Sequence, residues 1–129
     1  MATIPWSCPA TVDVASALVM VSRFRLHRWR DVGPFLFAAL RVHRQMRHAA
    51  GLLGISLKAH PIQRVFWTLS AWEDQDSLSN AVAAQPHRQV MARYRPQSES
   101  AFEFFTVLTS ELPPSWPSAM SRVAIGTDR

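Results

Sequence analysis

Apolar residues change their spacing several times along this chain, and each change marks a predicted element. From Ala17 to Phe24 they alternate, with Leu18, Met20, Ser22 and Phe24 on one side and Val19, Val21 and Arg23 on the other. That is the period of a β-strand. From Trp29 to Ala50 the period lengthens: Val32, Phe35, Ala39, Val42, Met46 and Ala49 form one helical stripe, with Arg41, Arg44, Gln45 and His48 mostly outside it. Asp31 is placed to cap this helix, Pro34 is tolerated in its first turn, and Gly51 stops it. Leu52–Ala59 and Arg64–Ala71 return to strand composition, and the short link between them predicts an antiparallel hairpin. Gly54 marks a bulge or a close approach. Asp74, flanked by Glu73 and Asp76, opens a second helix that Pro86 breaks, and a short helical piece follows from His87 to Tyr94. Ser100–Leu108 is the fourth strand.

The order strand, helix, strand, strand, helix, strand predicts an α+β fold, a ferredoxin-like βαββαβ sandwich with a four-stranded antiparallel sheet. The expected organisation is an N-terminal arm (1–16), one domain (17–108) and a C-terminal tail (109–129). Pro113, Pro114 and Pro117 make that tail either extended, with Trp116 pinning it to a neighbouring surface, or disordered. Two helices cover only one face of such a sheet, yet the strands are apolar on both. A homodimer is the simplest way to bury the second face, which gives a dimeric α+β barrel.

The stretch Phe66-Trp67-Thr68-Leu69-Ser70-Ala71-Trp72-Glu73-Asp74, followed by a helix and then His87, resembles the antibiotic-biosynthesis-monooxygenase-like dimeric α+β barrels. Val19-Met20-Val21-Ser22-Arg23-Phe24 is also similar to that family's first strand, so the resemblance spans about residues 17–108. It implies a pocket between sheet and helices and an oxygenase activity on aromatic, polyketide-like molecules without a cofactor. The family's haem-degrading branch has an Asn on the first strand, a Trp in the second helix and an axial His near that helix's end. Those positions fall on Ser22, near Ala81 and on His87, so only His87 matches and haem is not the expected cofactor.

Charge and composition narrow the picture further. Lys+Arg outnumber Asp+Glu by 14 to 9, almost all the cations being Arg, which suits a basic solvated face or an anionic ligand. No nucleic-acid motif accompanies the charge, and no apolar run is long enough to span a membrane, so neither is an expected partner. The single cysteine, Cys8, rules out an internal disulfide and is read as inert, in a cytoplasmic setting. No Cys/His cluster points to a metal, and the four glycines form no phosphate loop.

Among candidate site residues, His87 is the catalytic one, because a neutral imidazole can act as a base near pH 7. Met91 and Tyr94 follow it by four and seven positions and share its helical face. Ser22 is a polar residue on the apolar face that carries Met20, and Trp67 offers a flat surface to an aromatic ligand. Ser22, Met20, Trp67, Met91 and Tyr94 are therefore the expected ligand-binding set. The alternative is a non-catalytic barrel that binds a small ligand or a protein partner. It predicts a pocket with no converging titratable groups.

Overall fold

The structure, a computed structural model, describes residues 2–7 and 14–127. Five strands form one antiparallel sheet: β1 (Ala2–Ser7), β2 (Ser16–Leu26), β3 (Leu52–His60), β4 (Val65–Trp72) and β5 (Ser98–Leu108). Their spatial order is β1-β3-β4-β2-β5. The inner part, β3-β4-β2-β5, is the ferredoxin-like arrangement expected from the pattern. The helices are α1 (Val32–Arg47), α2 (Gln75–Ala83), α3 (His87–Tyr94) and α4 (Trp116–Thr127).

Both ends of the chain differ from expectation. The sheet has five strands rather than four, because part of the supposed arm, Ala2–Ser7, pairs with the edge of β3. Pro5 is tolerated there because an edge strand has one row of N–H groups that needs no partner. The Ser56 hydroxyl donates to the Ile4 carbonyl at 2.6 Å and helps hold the strand in place. Cys8 lies outside the described residues. The supposed extended tail contains α4, opened by Ser115, whose hydroxyl accepts from the Ser118 N–H at 3.3 Å. Pro117 sits in the first turn, where a missing N–H costs nothing. The prolines that suggested an irregular tail thus stand before the helix or in its first turn.

The register of β2 on β4 sets the two faces. Met20 pairs with Ser70, Ser22 with Thr68 and Phe24 with Phe66, all on the side of α1–α3. The residues between them, Val19, Val21, Trp67, Leu69 and Ala71, face the other way. α4 lies on that second face, with Ala119 and Val123 fully buried against it. Lys58 Nζ sits 5.2 Å from the centre of the Trp116 ring, and the Arg122 guanidinium 4.0 Å from that of Phe105. The apolar face that argued for a second copy is therefore covered by this chain's own C-terminal helix.

On the first face all six predicted stripe residues pack in or against the core, five from α1 and Ala49 from just beyond its end. Phe35 is the central one, 4.7 Å from Phe66, 5.0 Å from Tyr94 and 5.7 Å from Phe24 between ring centroids. Asp31 precedes α1 but makes no side-chain cap, since a turn of 3-10 helix over Trp29–Asp31 leads into the helix. Asp74 caps α2 as expected, accepting from the Ser77 N–H at 2.8 Å. At Gly54 the β3–β4 register shifts, and the Trp6 indole of β1 occupies the space where a Cβ would stand. A Gly54→Ala substitution is expected to cost about 1–3 kcal/mol by overpacking. Urea denaturation of Gly54→Ala, Trp6→Ala and the double variant should show losses that do not add, because removing the indole makes room for the methyl. Strictly additive losses would mean that Trp6 is not what Gly54 accommodates.

Candidate functional site

Between the sheet and α1–α3 lies a mainly apolar cavity of about 80 Å³. Its floor is Met20, Ser22, Ile55, Leu57, Thr68 and Ser70; its roof is Phe35, Ala39, Val42, His43 and Met46 of α1; and His87, Val90 and Met91 of α3 close one side. A larger groove of about 660 Å³ runs outside it, between β5 and the α2–α3 pair. The groove and the cavity share Met20, His87, Met91 and Phe102, which form the neck between them. The cavity alone is smaller than an ordinary ligand site of about 300–1,000 Å³, whereas the groove falls within that range.

His87 is held at this neck by three helices. α2 ends at Ala83, and Pro86 cannot extend it. The first N–H groups of α3 are instead met one by one. The His87 N–H donates to Gln45 Oε1 at 2.9 Å, the Arg88 N–H to the Ala84 carbonyl at 3.0 Å, and the Gln89 N–H to Gln85 Oε1 at 2.9 Å. Gln45 also donates through Nε2 to the Ala81 carbonyl at 3.0 Å. This one α1 side chain, grouped by spacing with the outward-facing residues, bridges the end of α2 and the start of α3. The His87 ring in turn lies 3.0 Å through Nδ1 from the Val82 carbonyl. A carbonyl only accepts, so Nδ1 carries the proton and Nε2 is the basic lone pair.

Burial lowers the pKa of His87, partly opposed by the Val82 carbonyl, which favours the protonated ring. The imidazole is therefore neutral and basic near pH 7. His43 is also lowered, first by burial and then by the Arg47 charge. Its Nε2 is buried without a hydrogen-bond partner. The other polar groups of the cavity have partners. The Ser22 and Thr68 hydroxyls bond each other, and Trp72 Nε1–H donates to Ser70 Oγ at 2.9 Å.

Of the six residues expected at the site, Met20, Ser22, His87 and Met91 come together on this cavity. Trp67 does not. It is an odd-numbered residue of β4 and points to the α4 face, beneath Arg23, whose guanidinium lies 5.9 Å from the ring centre. Tyr94 does not line it either. One turn beyond Met91, its ring is 3% exposed and packs edge-on against Phe35 in the core. His43 and Thr68 were missed. His43 follows Ala39 by four and precedes Met46 by three, so the helical stripe itself placed it beside the core. Thr68 carried no such signal, because its place depends on strand register. No cluster that could hold a metal is found among the described residues. No helix among them is long and apolar enough to cross a membrane.

No protein-family model and no curated protein matches the chain. Solved structures do. The chain superposes on SnoaB of Streptomyces nogalater, a cofactor-independent oxygenase, with a TM-score of 0.61 at 20% identity, covering 72% of this chain and 94% of that one. An antibiotic biosynthesis monooxygenase gives a TM-score of 0.62 at 11% identity over 68% of this chain and 95% of the other. A protein from Shewanella oneidensis gives 0.64 at 12% identity over 81% and 98%. The chain has the fold of the antibiotic-biosynthesis-monooxygenase-like α+β barrels. At these identities the likeness is one of fold.

Both cavity histidines have folded pKa values below the ordinary 6.5, so just under that value the unfolded chain binds more protons than the folded one. Stability is then full above 6.5 and falls as the pH drops toward the folded values. Urea midpoints measured between about pH 7.5 and 5 should decline, and His87→Asn should flatten part of that decline. An unchanged slope in His87→Asn would contradict the burial of a neutral imidazole.

Proposed function

We propose that this chain is a cofactor-independent monooxygenase of aromatic carbon acids, with His87 as the base. The observation that carries the reading is the neutral His87 at the neck, its Nδ1 proton committed to Val82 and its Nε2 left basic, between an apolar cavity and a groove large enough for fused rings. The description of SnoaB as a cofactor-independent oxygenase supports it.

In this reading Nε2 of His87 removes a proton from a carbon flanked by aromatic rings. The carbanion, delocalised onto a ring carbonyl, reduces O₂ directly. One oxygen atom stays on that carbon as a new carbonyl, and the other leaves as water with the two hydrogens the carbon has lost. The apolar side chains of Met20, Phe35 and Met91 around the cavity reduce the hydration of the base. Ser22 and Thr68 supply polar contacts on the floor. Arg88 of α3 and Arg95 just beyond its end line the groove, which has no acidic residue among its lining, and they favour an anionic substituent on the substrate.

The non-catalytic ligand-binding alternative predicts no converging titratable groups, and the presence of both His43 and His87 on the cavity favours the enzyme. Haem fits less well: Ser22 engages Thr68 and Ala81 brings no ring, so His87 stands alone of the three residues that chemistry would use. Anthrone is a suitable probe, since one anthrone and one O₂ give one anthraquinone and one water. Purified protein should accelerate anthraquinone formation, and His87→Ala should reduce the rate by about a hundredfold or more, the usual range for a general base. Equal rates in the two proteins would remove His87 from the role.

A homodimer is also part of this proposal, though by a different surface. β5 is an open edge strand, with Phe104 and Leu108 more than half exposed on it. Sedimentation should give a dimer mass that Leu108→Asp shifts to the monomer, and a monomeric parent protein at tens of micromolar would rule the pairing out.

A further inference from the structure

We propose that His43 is a ligand-binding residue, holding a polar oxygen at the leading end of an aromatic ligand in the inner cavity. The inference rests on the reading of that cavity as a ligand site, and it adds which end of the molecule enters first. Three observations support it. The first is the unpaired Nε2. Ser22 and Thr68 bond each other, Ser56 donates to Ile4, Ser70 accepts from Trp72 and His87 engages Val82, so His43 Nε2 is the buried atom left without a partner at this site. A buried polar group in that state costs stability, and a ligand oxygen relieves the cost. The second is the choice of residue. Ala39, Val42 and Met46 surround position 43 on the same helical face, where an apolar side chain would pack with no polar atom to satisfy. A residue that breaks the local pattern in this way marks a functional position. The third is depth. His43 lines the inner cavity and not the outer groove, whereas His87 lines both. A planar molecule entering from the groove passes His87 and reaches His43 last. The ligand class is thus a fused aromatic with a phenol or carbonyl oxygen on its leading ring.

The test compares 2-naphthol with naphthalene, the same rings with and without a terminal oxygen, by calorimetric or fluorescence titration. It uses the full chain and the variants His43→Leu and His43→Gln. The preference of the parent protein for 2-naphthol should fall about tenfold in His43→Leu and survive in His43→Gln, which keeps hydrogen-bonding capacity. His43→Leu should also melt no lower than the parent, since it removes an unpaired polar atom. An unchanged preference in His43→Leu, or no binding of either molecule by the parent, overturns the assignment. Neither ligand is a test of turnover. Binding that behaves as described in a protein that fails to oxidise anthrone leaves His43 in place and removes only the oxygenase reading.

Discussion

Strands β2 and β4 run side by side through the middle of the sheet, and both carry apolar side chains to both of its faces. That arrangement requires two covers, because each exposed face would leave a large apolar area in water. α1–α3 supply one cover and α4 the other. The rest of the architecture follows from this requirement. The helical cover is imperfect over Met20, Ser22 and Thr68, and the cavity is what remains there. The α4 cover, with Ala119 and Val123 seated on Val19, Val21 and Leu69, fills its side more completely.

The candidate site sits where three helices meet over that imperfection. α1 contributes His43 on its inner face and Gln45 beside it. α2 ends with carbonyls that need donors, and α3 begins with N–H groups that need acceptors. Gln45 and His87 answer these needs together: the amide satisfies Ala81 and the His87 backbone, and the imidazole satisfies Val82. The same bonds that join two short helices thereby fix the tautomer of the ring. The arrangement of the imidazole is a by-product of ending one helix and starting the next.

Most of the helical layer and the central strands were legible in the sequence because their signals are local. The α1 stripe, the Asp74 cap, the break at Pro86 and the close approach at Gly54 each depend on residues a few positions apart. The errors came from information that is not local. Trp67 reads as a pocket residue because nothing in its own strand says which face meets the helices; only the pairing of Ser22 with Thr68 decides it. Tyr94 shares a helical face with His87, but the convergence of α3 on α1 carries its ring onto Phe35 instead. The two ends of the chain differ from the pattern for a related reason. β1 is a strand only because the edge of β3 receives it, and the α4 signal in Ser115, Ala119 and Val123 was masked by prolines that the helix tolerates in its first turn.

The placement of the chain ends makes the two sides of the molecule unequal. With the first strand laced to β3 and the last helix lying across the opposite face, the sheet is braced from both termini and forms the stiff wall of the molecule. The helical side is joined differently: beside the packing of Phe35 on Tyr94, one glutamine amide reaches from α1 to the junction of α2 and α3. Loosening of that junction, a motion of helices on the microsecond-to-millisecond scale, would open the cavity without disturbing the sheet.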